Sequence, residues 1–437
     1  MLYKFEFRAY QRKFKRPLQT SHGIWDIRSG IILRLNDENG LISWGEIAPL
    51  SLFGSENFDQ ALDFCHHLPA NISSEMIFSI SPELPACQFG FESALSNSRS
   101  PLTPLNKGGT GNILKVPLIK GDLGGSRLGL KSTFIVGSVL SCHQSTKPGN
   151  EDKNSQYSGL LPAGEATLQV LPRLWLQGFR TFKWKIGVAA IEEELKVFQR
   201  LIKEMDDLGQ YAWDKKTRRL KPRLYKQNPP PRVEEQAVKI TLSSSVRAGG
   251  HRLCRRGFNR RLILSQAYCN LADRKKALLR LDANGGLNYS QAETWLKTCD
   301  NILEIPDSSV RVEFLEQPLP VPQFDEMLAL SAVYKTAIAL DESVANLDRI
   351  QECYNQGWRG IFVIKPAICG SPSQLRKFCQ THNIDAVFSS VFETQIGRQA
   401  ALNLATELSL NSRALGFGTD DWFDDKNQET WLKHLWQ

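Results

Sequence analysis

The chain has 437 residues, 41% hydrophobic and 23% charged, the balance of a soluble globular protein large enough for two domains. No run approaches the ~18 consecutive apolar residues of a membrane span. The opening MLYKFEFRAYQRKFKRPL alternates apolar and basic residues without the apolar block of a signal peptide, so a cytoplasmic protein is expected.

The net charge of +8 is concentrated in one place. Between Asp206 and Lys276 there are 18 Lys and Arg against 6 Asp and Glu, which leaves the rest of the chain at −4. Nucleic-acid binding would have to rest on that segment alone, and the segment carries no recognisable binding motif. Nine Cys residues lie scattered without a C-x-x-C pair, which argues for reduced thiols rather than a disulfide framework or a zinc site.

Residues 1–97 read as a small α+β domain. LYKFEFRAYQ alternates as a strand, and Arg28 to Asn36 and Leu41 to Ile47 form a hairpin across Asp37-Glu38-Asn39-Gly40. Phe58 to Leu68 and Ala86 to Leu95 have helical apolar spacing. Two loops interrupt the domain, one around His22 and one around Phe53. Residues 98–153 turn rich in Gly, Pro and Lys and read as a flexible inserted or linker segment. Gly124 to Ser132 resembles a phosphate loop only superficially, since Leu130 stands before Lys131 where the motif needs Gly.

From residue 154 to 423 strands and helices alternate, which implies a parallel sheet. The strands centre on YSGLL, FRTFKWKIG, LLRLDANGG, VEFLEQP, AIALDES, GIFVIKP, AVFSS and ALGF, eight in all, with helices such as Ile191 to Met205 between them. A basic stretch at about 207–275, without sustained hydrophobic period, interrupts the alternation between a helix and a strand. In a (β/α) barrel that junction lies on the face opposite the site, and long loops there cost little to close. Residues 424–437 read as a tail packing on the first domain.

In LLRLDANGG, residues two apart share a face, so Arg280, Asp282 and Asn284 point one way and the apolar residues the other. Glu316 and Asp341 end the next two strands, 34 and 25 residues on, about one strand-helix unit each. Three carboxylates at one end of a parallel sheet are hard oxygen donors that suit Mg²⁺, with Mn²⁺ as a substitute. Lys183 and Lys185 share one face of their strand, and Lys365 ends another. A divalent ion with cations beside it neutralises the charge that develops when a proton is removed next to a carboxylate, and crowding and burial lower the pKa of a lysine base. A small-molecule carboxylate is the substrate such a site takes.

These motifs, K-x-K, R-x-D-x-N, E-Q-P, D-E-S and I-K-P, together with WGEIAPL at Trp44 to Leu50 and GFGTDDWF at Gly416 to Phe423, resemble the enolase superfamily and, within it, its menaquinone- and phylloquinone-forming dehydratases. The resemblance implies an N-terminal α+β capping domain over a modified (β/α)₇β barrel, with Asp282, Glu316 and Asp341 as metal ligands. It implies that Lys185 takes the proton and assists departure of the hydroxyl, with Lys183 beside it. By the same resemblance Lys365 would stabilise the anion from the other side. Arg280, Asn284, Ser389, Ser390, Gly416, Thr419, His22 and Phe53 would contact the substrate or support the residues that do.

The implied reaction is syn dehydration of 2-succinyl-6-hydroxy-2,4-cyclohexadiene-1-carboxylate to 2-succinylbenzoate. The alternative inside the superfamily is a racemase or epimerase of N-acylated amino acids or dipeptides. Dipeptide epimerases carry D-x-D on the last strand, where this chain has Thr419, Asp420 and Asp421. An alternative of another class is nucleic-acid association through the basic insertion, which is disfavoured. Oligomeric state is left open by the sequence.

Overall fold

The computed structural model describes residues 1–20, 23–96, 154–214, 277–305, 308–419, 422–423 and 428–436. The expected segment 98–153 falls outside them, as do residues 215–275 of the expected 207–275 insertion and residues 21 and 22, His22 among them.

The N-terminal unit is built on an antiparallel four-stranded sheet in the order β3-β2-β1-β4. Its strands are β1 (Leu2–Thr20), β2 (Gly23–Asp37), β3 (Ile42–Ile47) and β4 (Asn71–Ser73). The β1 strand is much longer than the expected stretch. It pairs with β2 from Tyr3↔Asp37 to Lys13↔Ile27, and the ladder resumes after a register shift at Leu18↔Trp25. Its helices are α1 (Phe58–His67), α2 (Ser74–Phe78) and α3 (Pro85–Ser96).

Apolar residues occupy both parities of β2, so both faces of the sheet are covered. Ile31, Leu33 and Leu35 join the cluster that includes Phe89 and Phe91 of α3. On the opposite face Ile32, with Tyr10 and Trp44, meets Leu432 of the C-terminal helix. The close seat of α3 on β3 depends on a glycine pair. A Cβ on Gly45 would stand 2.1 Å from the Gly90 carbonyl oxygen.

The second unit is a parallel seven-stranded sheet. Its elements alternate as β5 (Ser158–Leu161), α4 (Ala166–Leu176), β6 (Thr181–Lys185), α5 (Ile191–Asp214), β7 (Ala277–Asp282), α6 (Tyr289–Leu303), β8 (Val310–Glu316), α7 (Phe324–Val333), β9 (Ile338–Leu340), α8 (Leu347–Asn355), β10 (Ile361–Ile364), α9 (Pro366–Cys369), α10 (Pro372–Thr381), β11 (Asp385–Phe388) and α11 (Gln395–Leu408). The strands pair in chain order from β5 to β11. The outward face of β6 shows why it packs as it does: Trp184 stacks on Phe198 of α5 and meets the edge of Trp295 of α6.

Three expectations need adjustment. α5 runs nine residues past Met205 to Asp214, and the Asp206 carboxylate accepts from the Ser309 amide and hydroxyl, so the interruption starts after the helix. The β7 strand ends at Asp282, and Asn284 and Gly285 follow in a turn with φ of 44° and 69°. The expected eighth strand is reduced to single parallel bridges, Leu415 to Tyr157 before β5 and Gly416 to Ser389 after β11. The C-terminal helix α12 (Gln428–Leu435) lies on the first sheet, with Trp431 edge-on to Tyr10 and Trp436 edge-on to Trp44.

Candidate active site

Strand register gathers the site. Lys185 pairs with Asp282, and Asp282 with Glu316, so three functional residues stand in one row across β6, β7 and β8. Glu316 pairs in turn with Ala339, and Ala339 with Ile361, so Asp341 just past β9 stands two residues beyond the row and Lys365 just past β10 four, both in the parity that faces the same side. Parallel pairing forces this, because residues at equal heights on neighbouring strands project to the same side.

The acids are buried, with 7%, 1% and 3% of Asp282, Glu316 and Asp341 exposed. Lys183 Nζ lies 2.8 Å from Asp282 Oδ2 and 2.8 Å from Glu316 Oε1, and Lys365 Nζ pairs with Asp341 Oδ1. Burial lowers the pKa of Lys183, but the two carboxylates outweigh it and the net shift is upward. Lys185 goes the other way, lowered by burial and by the Lys183 charge against the pull of Asp282. Lys365 is also lowered, by burial and Lys183, against Glu316 and Asp282. Burial raises Glu316, and the Asp282 charge adds to that while Lys183 opposes it. Lys183 and Lys185 therefore differ in character although they share a strand face: one is a fixed cation and the other is biased toward the neutral amine.

Among the described residues no group of three or more acidic, histidine or cysteine side chains stands together as a ready metal-ligand set. The acids are interleaved with ammonium groups instead. The donor chemistry still fits Mg²⁺: three buried carboxylates end adjacent strands, and Glu316 is destabilised as an anion by Asp282. A buried carboxylate cluster of this kind needs a cation, whether ammonium or metal.

The remaining expected residues divide. Phe53, in the turn Ser51–Phe53 of the N-terminal unit, lies 4.1 Å from Lys365 Nζ to its ring centroid. Asn284 donates to Glu342 Oε1 at 3.1 Å and its amide donates to Asp282 Oδ1 at 3.1 Å. Arg280 is directed elsewhere: Nε donates to Glu313 at 2.6 Å and Nη2 to the Ala414 carbonyl at 2.8 Å. Ser389 Oγ donates to the Gly416 carbonyl at 3.4 Å. Ser390 Oγ donates to Glu393 at 2.9 Å, and Thr419 Oγ1 accepts from Arg398 at 3.3 Å.

Two residues absent from the expected set belong to this cluster. Gln317, fully buried at φ 36°, accepts from the amides of Asp341 and Ser343 and donates to Ser343 Oγ and the Leu319 carbonyl. It ties the end of β8 to the end of β9, and so sets the relation of Glu316 to Asp341. Glu342 is raised to about 7 by burial and by the Asp282 charge. Both neighbour motif acids in sequence, E-Q-P and D-E-S, and that adjacency is the signal that could have found them.

Residues 265–433 match the sequence model of the enolase C-terminal domain-like family, and residues 10–98 match that of the MenC N-terminal domain. The o-succinylbenzoate synthase of Thermosynechococcus vestitus is 29% identical, over 96% of this chain and 93% of its own. The crystal structure of the o-succinylbenzoate synthase of Thermosynechococcus elongatus, complexed with Mg in its active site, superposes with a TM-score of 0.64 at 28% identity, covering 99% of both chains. The L-Ala-D/L-Glu epimerase of Bacillus subtilis shares the fold at a TM-score of 0.55 and 14% identity, over 96% of this chain and 90% of its own.

The chain belongs to the enolase superfamily. It is an enzyme of that superfamily, and both the N-terminal match and the full-length relatives place it with the o-succinylbenzoate synthases.

Proposed function

We propose that the chain catalyses the Mg²⁺-dependent syn dehydration of 2-succinyl-6-hydroxy-2,4-cyclohexadiene-1-carboxylate to 2-succinylbenzoate, a step of menaquinone or phylloquinone biosynthesis. The observation that carries this reading is the order of side chains across the strand ends: Lys183 and Lys185 on β6 at one end, Lys365 after β10 at the other, and the acids Asp282, Glu316 and Asp341 between them. Phosphoryl transfer or hydrolysis would use the acids but leave lysines on both sides without a task.

Asp282, Glu316 and Asp341 would hold Mg²⁺, which when bound neutralises the growing charge on the substrate carboxylate. Lys185, biased toward its neutral form, accepts the proton from the ring carbon that bears the carboxylate. The electron pair left behind expels the hydroxyl on the same face, and the proton on Lys185 departs with it as water. Lys183 stays charged and fixes the positions of Asp282 and Glu316. Lys365 faces the anion from the opposite side, under the Phe53 ring. Aromatisation of the product makes the step downhill.

We read the parallel sheet as a modified (β/α)₇β barrel capped by the N-terminal unit. The bridges from Leu415 and Gly416 to the two edges of the seven-stranded sheet support closure.

The test is direct. Purified protein with the cyclohexadiene acid and Mg²⁺ is expected to form 2-succinylbenzoate, and to stop on chelation. Absence of product under both conditions, with racemisation of an N-acylated amino acid in its place, would transfer the chain to the epimerase branch.

A further inference from the structure

We infer that Glu46 of β3 is a positioning residue for substrate binding, acting through residues 389–397, the strap that leads from the end of β11 into α11. This rests on the dehydratase reading and on the expectation that Ser389, Ser390 and Gly416 contact the substrate.

The Glu46 side chain crosses from the N-terminal unit and is fully buried. Its carboxylate accepts from the Thr394 amide at 2.8 and 3.0 Å, from the Thr394 hydroxyl, and from the Gly397 amide at 2.9 Å. Those amides belong to the first turn of α11, where an anion is favoured by the unpaired N–H groups and the helix dipole. Tyr10 donates its hydroxyl to the same carboxylate. A Cβ on Gly397 would stand 2.9 Å from Glu46 Oε2, so glycine at that position is what lets the carboxylate approach the helix.

The strap needs such a hold. Phe392 stands at φ 63°, a left-handed conformation that a bulky residue adopts only when its surroundings impose it. Further ties come from the same unit: Arg28 Nε donates to the Val391 carbonyl at 2.9 Å, and Phe14 meets the Phe392 ring edge-on. At its upstream end the strap begins with Ser389, bridged to Gly416. The metal-side acids on β7, β8 and β9 make no contact with Glu46 in these bonds. A loosened latch therefore reaches substrate binding and leaves the proton transfer machinery alone.

A glutamine at this fully buried position keeps the shape but turns an NH₂ toward N–H and O–H donors. Glu46→Gln is expected to raise KM by about tenfold, the scale of one lost hydrogen bond to a charged group, with kcat and the Mg²⁺ concentration for half-activation nearly unchanged. Thr394→Val is expected to move KM the same way by less, and Thr394→Ser, which keeps the hydroxyl, to restore it. Amide exchange of 390–397 is expected to quicken in Glu46→Gln and Thr394→Val without substrate present. Lack of dehydratase activity in the wild-type chain would end the functional reading, and the exchange measurement would still decide the latch. Unchanged exchange overturns the proposal, as does a fall in kcat or in melting temperature with KM at the wild-type value.

Discussion

Phe53, carried by the N-terminal unit, lies over the Lys365 ammonium of the second unit at 4.1 Å, so a residue of one unit completes the surroundings of a candidate catalytic lysine in the other. A cation held over an aromatic face gains about 0.5–2 kcal/mol depending on desolvation. Phe53→Ala is expected to lower kcat/KM by roughly 3- to 30-fold on that basis. Phe53→Leu, which keeps the bulk but loses the ring, is expected to recover only part of it. Steady-state kinetics check this, and equal activity of both variants to wild type would remove Phe53 from the site.

Lys185 and Glu316 are expected to fail in different ways. Lys185→Ala removes the base and should lower kcat by about 10²–10⁴, the usual range for general base catalysis, with Mg²⁺ affinity kept. Glu316→Gln should weaken Mg²⁺ binding by more than about tenfold, since even residues behind the ligands matter at the 10- to 100-fold level. Calorimetric titration with Mg²⁺ separates the two, and a Lys185→Ala enzyme of near-normal turnover would refute the assignment of the base.

The pH profile follows from the direction of the Lys185 shift. Burial, helped by Lys183, lowers its pKa against the pull of Asp282. A base works in its neutral form, so kcat/KM is expected to rise with pH and to level off at a midpoint below the ~10.4 of a free lysine. Lys183→Met removes a neighbouring positive charge and frees Asp282 to favour the ammonium, and both changes move the midpoint upward. A wild-type midpoint at or above the free-lysine value would contradict the assignment.

Asp385 offers a stability test away from the chemistry. Burial raises its pKa, but hydrogen bonds from Arg413, at 2.7 and 2.6 Å, outweigh this and the net shift is downward. A carboxyl group with a lowered folded pKa stabilises the fold above its unfolded value of ~3.9, and this contribution is lost as pH falls through the folded value. Arg413 also donates to Glu313, which accepts from Arg280, so the pair anchors a chain of charges inside the second unit. Asp385→Asn is expected to cost roughly 1.5–3 kcal/mol at neutral pH, the scale of hydrogen bonds to charged groups. The difference from wild type should shrink below about pH 4. Urea unfolding across pH checks both the size and the sign.

The motifs that carry the candidate site were legible because a parallel strand ends where its apolar alternation meets a polar residue. Asp282 and Glu316 close such strands and Asp341 follows one directly, and the helical spacing between them set the strand-helix unit. Local pattern was also enough to read the alternation of the second unit and the hairpin of β2 and β3. Pairing partners lay beyond it. Arg280 sits one alternation below Asp282 and looked equivalent, yet its guanidinium is taken by Glu313 and the Ala414 carbonyl. Ser390 looked free to meet a ligand, yet its hydroxyl is held by Glu393.

By itself, the order of residues determined the repeating strand-helix unit, the end of each strand that carries an acid or a lysine, and the division between an antiparallel unit and a parallel one. These depend on side-chain periodicity and on residue type, both local quantities. Tertiary structure alone decided that Lys183 bridges two acids while Lys185 beside it does not, that Gln317 ties two strand ends together, and that Glu46 caps a helix 348 positions further along the chain. Each of these depends on which buried donor finds which acceptor, and burial makes that pairing obligatory without writing it into any neighbouring residue.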